Sequence, residues 1–214
     1  MLPALYSYYR SSCSYRVRLA LAYKKIDYDY KAIHLVKDGG EQYSEDYLKL
    51  NVKAEVPLWK EQDFLLSQSM SIMLYLDKTH PENPIFPSDA RSFARTVELC
   101  EIINSGIQPL QGLRLQQEIE RRFAAAKGDV KDFCRFWIEL GLQAFENKIS
   151  AGGLYSVGNE LTAADFFLIP QLYNAKRFAV DLTSFKRLLE IEQNLLLIPH
   201  LQKATPEHSP DFSP

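Results

Sequence analysis

Residues 5–21 read LYSYYRSSCSYRVRLAL, and this stretch contains a complete strand-to-helix transition. The aromatic run at residues 5–8 is typical of a short strand, whereas the apolar positions within residues 17–21 recur at helical spacing. Between these two runs, Ser11 or Ser12 is placed to cap the start of the helix. The sequence therefore predicts a strand that leads through a polar turn into a helix.

Two hydroxyl groups and a thiol lie at the start of this predicted helix. Ser11, Ser12 and Cys13 would meet backbone N–H groups that lack helical partners, at the positive end of the helix dipole. Such a position stabilises a bound anion or thiolate. In a purely structural interpretation, the serines only cap the helix and Cys13 is a small buried side chain. The motif alone leaves both interpretations open.

Two later segments point to the same kind of site. A cis bond at Val56-Pro57 would expose the Val56 N–H and C=O to an extended peptide. Gln68 and Ser69 open a helix predicted over residues 69–79, and they offer an amide, a hydroxyl and free N–H groups to a carboxylate. The three segments would then face one groove.

The chain divides by pattern into two parts. Residues 1–80 alternate strand-like and helix-like patterns, which predicts an α/β domain with a β-α-β unit and a hairpin. The segment 81–89 is rich in proline, which cannot continue a helix, so we expect a linker there. Residues 90–214 have mostly helical patterns and predict an all-helical domain.

Helix signals recur through this second domain. Helical patterns over residues 90–107, 110–126 and 129–150 are interrupted at glycines, among them Gly128. Thr162 to Asp165 is a capping-box variant, with Asp in the place of Glu, which predicts a buried helix starting there.

Composition excludes several classes of protein. Lys and Arg number 25 and Asp and Glu 27, a net charge of −2, which is too weak for a binder of duplex nucleic acid. No apolar run approaches the roughly 18–20 residues of a membrane span. The odd and widely spaced set Cys13, Cys100 and Cys134 gives no disulfide framework, so we expect a cytoplasmic protein. The histidines lack metal-ligand spacing, and no metal is predicted.

These motifs together resemble the zeta-class glutathione S-transferases, the family that includes maleylacetoacetate isomerases. The resemblance spans essentially the whole chain and rests on residues 5–21, Val56-Pro57, Gln68-Ser69, and the stretches 106–111 and 170–183. It implies a thioredoxin-like N-terminal domain that binds glutathione and a helical-bundle C-terminal domain that forms most of the second-substrate pocket. It also implies a homodimer.

The resemblance assigns glutathione-binding roles to individual positions. They are Ser11, Ser12, Cys13, Gln42, Val56, Gln68, Ser69 and Gln108. Ser11 would hydrogen-bond the glutathione sulfur, with Ser12 and Cys13 beside it as further catalytic candidates. Val56 would pair with the cysteinyl backbone of glutathione. Gln68 and Ser69 would bind the γ-glutamyl carboxylate and amine.

The reaction implied by the resemblance is a cis–trans isomerisation in the breakdown of aromatic acids. Glutathione thiolate adds to the cis double bond of an unsaturated keto acid, maleylacetoacetate or maleylpyruvate, and leaves after rotation, so glutathione acts as a cofactor. The substrate carboxylates require cations, and Arg10 and Arg177 are the candidates. Arg177 fits a surface or helix-capping charge equally well.

Some positions depart from the family pattern, and other functions stay open. Residues 52–55 differ before the expected cis-proline, and Gly112 and Arg114 stand where the resemblance implies Asn and a small or polar residue near the substrate pocket. One alternative is a glutathione transferase or dehalogenase acting on small α-halo acids. Another is a catalytically silent interaction protein, against which the complete set of glutathione positions argues.

Overall fold

A computed structural model of the protein describes residues 2–149 and 151–213. Contacts along the chain divide it into two compact units, one formed by Met1–Ile85 with Leu196–Pro214 and the other by Phe86–Leu195. The outer ends of the predicted domains, Met1 and Pro214, and the predicted helix end at Ser150 lie outside the described residues.

The first unit contains a four-stranded mixed sheet. Its strands are β1 (Ala4–Ser7), β2 (Asp29–Ala32), β3 (Leu58–Glu61) and β4 (Phe64–Ser67), in the order β2-β1-β3-β4. β1 and β2 are parallel, whereas β3 is antiparallel to both β1 and β4. Strands β1, β2 and β4 therefore end at the same side of the sheet, and β3 begins there.

Three helices in this unit follow strands or loops of the sheet. They are α1 (Ser12–Lys24), α2 (Glu45–Leu50) and α3 (Ser69–Thr79). α1 and α3 pack against each other, and α1 buries Val17 and Leu19 completely. The predicted helix over residues 69–79 is confirmed. The short helix α2 has no counterpart among the sequence-based predictions, because six residues give too little periodicity to detect.

The second unit is helical. It comprises α4 (Ala90–Asn104), α5 (Leu113–Phe123), α6 (Lys127–Glu146), α7 (Ala163–Arg177) and most of α8 (Lys186–Leu196). The predicted break at Gly128 is wrong, since Gly128 lies in the first turn of α6. Glycine keeps its backbone N–H and costs a helix only about 0.5–1 kcal/mol relative to alanine, so a single glycine does not by itself end a helix. No described helix is long and apolar enough to cross a membrane.

The start of α7 follows the predicted capping box. Asp165 is fully buried, and its carboxylate accepts hydrogen bonds from the Ser156 N–H and the Thr162 N–H, each at 2.8 Å. Thr162 is the N-cap residue, so the two residues satisfy each other's polar groups. The predicted buried helix that begins here is confirmed.

The last part of the chain groups with the first unit, which differs from the expected extent of the helical domain. Residues 196–213 include α9 (Pro199–Gln202) and a 3-10 turn at Pro206–His208. Arg18 of α1 donates to the Ala204 carbonyl at 3.0 Å, and Leu201 is fully buried. The predicted fold class, an α/β domain with a helical bundle, is otherwise the observed one.

Candidate active site

Ser11 forms the cap of α1, as the sequence predicted. Its backbone is extended, with φ −74 and ψ 115, and its hydroxyl oxygen accepts the Ser14 N–H at 3.2 Å. The Ser11 N–H donates to the Tyr8 carbonyl at 3.0 Å, which closes the turn before the helix. Because Ser11 Oγ acts as the acceptor in the cap, its hydroxyl hydrogen can be donated to a bound anion. Ser12 is buried, and Cys13 is a half-buried free thiol.

A second helix N-terminus carries the predicted carboxylate site. Gln68 precedes α3 with a positive φ of 73, a backbone conformation that is uncommon for a residue with a side chain. Its side chain is exposed and does not cap the helix. The neighbouring Ser69 is buried, and its hydroxyl oxygen accepts the Arg16 Nη1–H at 3.1 Å. The Ser69 hydroxyl is therefore set to donate its own hydrogen to a ligand.

The Val56–Pro57 peptide bond is cis, as the motif suggested. Two polar side chains bind Glu55, the residue before this bond. The Glu55 carbonyl accepts a hydrogen bond from the Tyr47 hydroxyl at 2.6 Å and another from the Asn51 side-chain amide at 2.8 Å. Val56 lies beyond the β1–β3 ladder, which begins at the pair Tyr6 and Leu58. Over residues 2–149 and 151–213, the Val56 N–H and C=O make no backbone hydrogen bond. These groups can pair with an extended peptide.

Gln42 follows β2 in the first unit and is buried. Its side-chain N–H donates to the Leu35 carbonyl at 3.2 Å, but within the described part of the chain its Oε1 atom is buried without a hydrogen-bond partner. A buried acceptor left unpaired costs about 1–3 kcal/mol. A ligand N–H donor would remove that penalty, so Gln42 fits the binding role that the resemblance implied.

The direction of the strands brings these segments to one end of the sheet. Ser11 follows the end of β1, Gln42 follows β2, and Gln68 and Ser69 follow β4, while Val56 precedes β3, which begins at that end. The Arg16–Ser69 hydrogen bond connects α1 to the first residue of α3. Two positive helix ends, a free backbone edge and a buried acceptor are thus collected on one side of the first unit.

The predicted substrate contacts include Arg10, Gly112 and Arg114. Arg10 is exposed in the turn before Ser11, with its guanidinium 6.0 Å from the centre of the Tyr9 ring. Gly112 precedes α5 as its N-cap residue, and Arg114 is exposed in the first turn of that helix.

Two residues of the second unit complete the predicted set. Gln108 is half-buried at the start of a 3-10 turn, Gln108–Gln111. Arg177 is exposed in the last turn of α7 and donates to the Asn174 side-chain oxygen at 3.0 Å. This hydrogen bond suits the surface interpretation of Arg177.

Sequence reasoning missed the importance of two arginines in α1. Arg16 is fully buried and holds Ser69, whereas Arg18 is 2% exposed and donates to the Tyr8 and Tyr9 carbonyls that precede Ser11. Burial lowers the pKa of Arg18. Both arginines stand among apolar residues of a helix that packs into the first unit. Their placement among apolar residues could have revealed this role, because a buried guanidinium needs hydrogen-bond acceptors.

Comparison with known proteins places this geometry in a family. The model of the glutathione S-transferase N-terminal domain matches residues 3–78. The chain is 42% identical to a maleylacetoacetate isomerase of Dictyostelium discoideum, over 98% of this chain and 96% of that protein. The chain belongs to the zeta-class glutathione S-transferase and maleylacetoacetate isomerase family. The family predicted from the motifs is confirmed.

Solved structures of this family share the fold along the whole chain. A holo structure of a bacterial maleylpyruvate isomerase, described as a zeta-class glutathione S-transferase, has a TM-score of 0.94 at 30% identity, covering 98% of this chain and 100% of that one. A maleylacetoacetate isomerase of Anaeromyxobacter dehalogenans with bound GSH in its active site has a TM-score of 0.89 at 36% identity, covering 99% and 98%.

Glutathione suits the groups at the end of the sheet. It carries a thiol, a γ-glutamyl carboxylate and an extended peptide backbone, and the first unit offers the Ser11 hydroxyl, the Gln68–Ser69 helix start and the Val56 backbone. The unpaired Oε1 of Gln42 can accept one of the N–H groups of glutathione. The residues present therefore fit the cofactor of this family.

Proposed function

We propose that this protein is a glutathione-dependent cis–trans isomerase of a maleyl keto acid, either maleylacetoacetate or maleylpyruvate. The observation that carries the proposal is the convergence of Ser11, Val56 and Ser69 at one end of the sheet, in a chain of the zeta-class family. A protein that only bound partners would have no physical need for this set of groups.

Each group has a proposed role toward glutathione. Ser11 donates its hydroxyl hydrogen to the sulfur, and the positive end of α1 favours the thiolate over the thiol. Gln68 and Ser69 bind the γ-glutamyl end, with Arg16 orienting the Ser69 hydroxyl. The remaining proposed contacts are Ser12, Cys13, Gln42, Val56 and Gln108.

When bound, glutathione supplies a thiolate that adds reversibly to the conjugated double bond of the substrate and so permits rotation about it. This chain contributes the hydrogen-bond donor that holds the sulfur anionic, and it orients the tripeptide through the Val56 backbone. Arg10 and Arg177 are exposed cations that we propose as ligands of substrate carboxylates, with Gly112 and Arg114 as further substrate contacts.

We also propose that the protein is cytoplasmic and forms a homodimer. The free thiols Cys13, Cys100 and Cys134 suit a reducing compartment. Phe64 and Leu65 lie on the edge strand β4 and are 45% and 37% exposed. Large apolar side chains on a sheet edge favour coverage by another chain.

Calorimetry tests the glutathione site. Replacing both Gln68→Ala and Ser69→Ala removes two charge-assisted hydrogen bonds, so we expect affinity for glutathione to fall by about 3 kcal/mol, or about 100-fold. Ser71→Ala is the matched control, because Ser71 is exposed on the same helix and has no proposed contact. An unchanged affinity in the double variant would remove Gln68 and Ser69 from the site.

A comparison of substrates tests the reaction. Purified protein is mixed with maleylacetoacetate or with maleylpyruvate, with and without glutathione, and the appearance of the trans product is followed. We expect isomerisation of at least one of them only when glutathione is present. If glutathione binds but neither substrate is isomerised, the isomerase assignment is contradicted, and a glutathione transferase becomes the better assignment.

A further inference from the structure

The turn that precedes Ser11 is held by a segment about two hundred positions away along the chain. We define the 204–213 strap as residues 204–213 of the first unit. Within it, one carboxylate oxygen of Asp211 accepts the Tyr9 N–H at 3.1 Å, and the other accepts the Tyr30 hydroxyl at 2.6 Å. Asp211 thus connects the turn before α1 with strand β2.

Further contacts fix the strap against Tyr9. The Tyr9 hydroxyl donates to the Ser213 carbonyl at 2.7 Å. The Phe212 ring meets the Tyr9 ring edge to face, with their centres 5.5 Å apart. At the other end of the strap, the Ala204 carbonyl accepts the Arg18 Nε–H at 3.0 Å.

Arg18 holds the same turn from inside the unit. Its guanidinium donates to the Tyr8 carbonyl at 3.4 Å and to the Tyr9 carbonyl at 3.2 Å. The Tyr8 carbonyl also accepts the Ser11 N–H. Arg18 therefore binds two carbonyl groups of the turn, and Asp211 binds the Tyr9 N–H group.

We propose that Asp211 is a positioning residue for Ser11, acting through the Tyr9 backbone. A carboxylate suits this role because its two oxygens accept from two different donors at once. The role rests on the proposed function, since it matters for catalysis only if Ser11 stabilises a thiolate. Misplacing a group of the site by about 1 Å can cost about 100-fold in rate.

Asp211→Ala is the decisive variant. It removes both carboxylate oxygens, so the Tyr9 N–H and the Tyr30 hydroxyl each lose their acceptor. Tyr30→Phe is a milder variant that removes only the second hydrogen bond and keeps the first. Glu207→Gln is the matched control, because Glu207 is an exposed carboxylate of the same strap.

Hydrogen exchange tests the contact without any ligand. We expect the Tyr9 and Ser11 amides to exchange about 10-fold faster in Asp211→Ala, less so in Tyr30→Phe, and at the wild-type rate in Glu207→Gln. Unchanged exchange in Asp211→Ala would overturn the proposal.

The fraction of bound glutathione present as thiolate, followed by its ultraviolet absorbance at neutral pH, tests the positioning role. We expect this fraction to fall in Asp211→Ala together with a loss of turnover of about 10-fold to 100-fold. Faster exchange with wild-type thiolate absorbance and turnover would also overturn it. A wild-type protein that neither binds glutathione nor isomerises would overturn the proposed function instead. Hydrogen exchange would then still show whether Asp211 holds the Tyr9 backbone in place.

Discussion

Replacing Ser11→Ala separates the structural role of Ser11 from its proposed chemical role. The alanine removes the oxygen that accepts the Ser14 N–H at 3.2 Å, so α1 loses its side-chain cap. Loss of such a cap lowers the free energy of unfolding by about 1 kcal/mol. The alanine also removes the donor to the glutathione sulfur. Loss of one donor to a developing anion lowers turnover by about 10² to 10³-fold.

Ser44→Ala provides a control with the same structural change. Ser44 caps α2, and its hydroxyl oxygen accepts the Tyr47 N–H at 3.3 Å, so the two variants lose equivalent caps. We expect both to be destabilised by about 1 kcal/mol in urea unfolding. Only Ser11→Ala should lose turnover, because Ser44 has no proposed contact with glutathione.

Steady-state isomerisation at saturating glutathione, combined with urea unfolding of the same samples, measures both effects. The expected result is a turnover of Ser11→Ala that is about 100-fold or more below that of Ser44→Ala. If the two variants turn over at similar rates, Ser11 only caps the helix. A large loss in Cys13→Ala in that case would identify the Cys13 thiol as the catalytic group.

Three further predictions follow from the described contacts. A thiol reagent at pH 8 should modify Cys13 first, because Cys100 and Cys134 are buried and burial raises the pKa of Cys134 to about 11; equal reactivity of the three thiols would contradict this. Asp165→Ala should lower the free energy of unfolding in urea by about 3 kcal/mol, because it removes a buried carboxylate that accepts from two N–H donors. The exposed cap variant Asp89→Ala should lower it by only about 1 kcal/mol. Light scattering should give twice the chain mass of 24.6 kDa, and a monomer at micromolar concentration would contradict the dimer.

Local signals in the sequence predicted the elements that depend on neighbouring residues. The Ser11 cap, the helix over residues 69–79 and the Thr162 to Asp165 capping box all involve partners within a few positions. Their hydrogen bonds are determined by short-range backbone geometry, which residue type reports directly. The break expected at Gly128 was wrong because a single glycine weakens a helix through backbone entropy without ending it.

Long-range contacts could not be predicted from the sequence pattern. Asp211 and Tyr9 are 202 positions apart, and no periodicity links an aspartate near one end of the chain to a turn near the other. The Arg16–Ser69 hydrogen bond likewise depends on the packing of α1 against α3. The sequence predicted the candidate groups of the site, whereas the residues that hold them in place required the structure.

The fate of glutathione during turnover tests the central proposal most directly. Purified protein is given a limiting amount of glutathione and an excess of the maleyl keto acid, and product and free thiol are measured together. The proposal predicts many trans products per glutathione, with the free thiol undiminished at the end. Loss of one thiol for each substrate consumed would contradict it and identify a conjugating transferase.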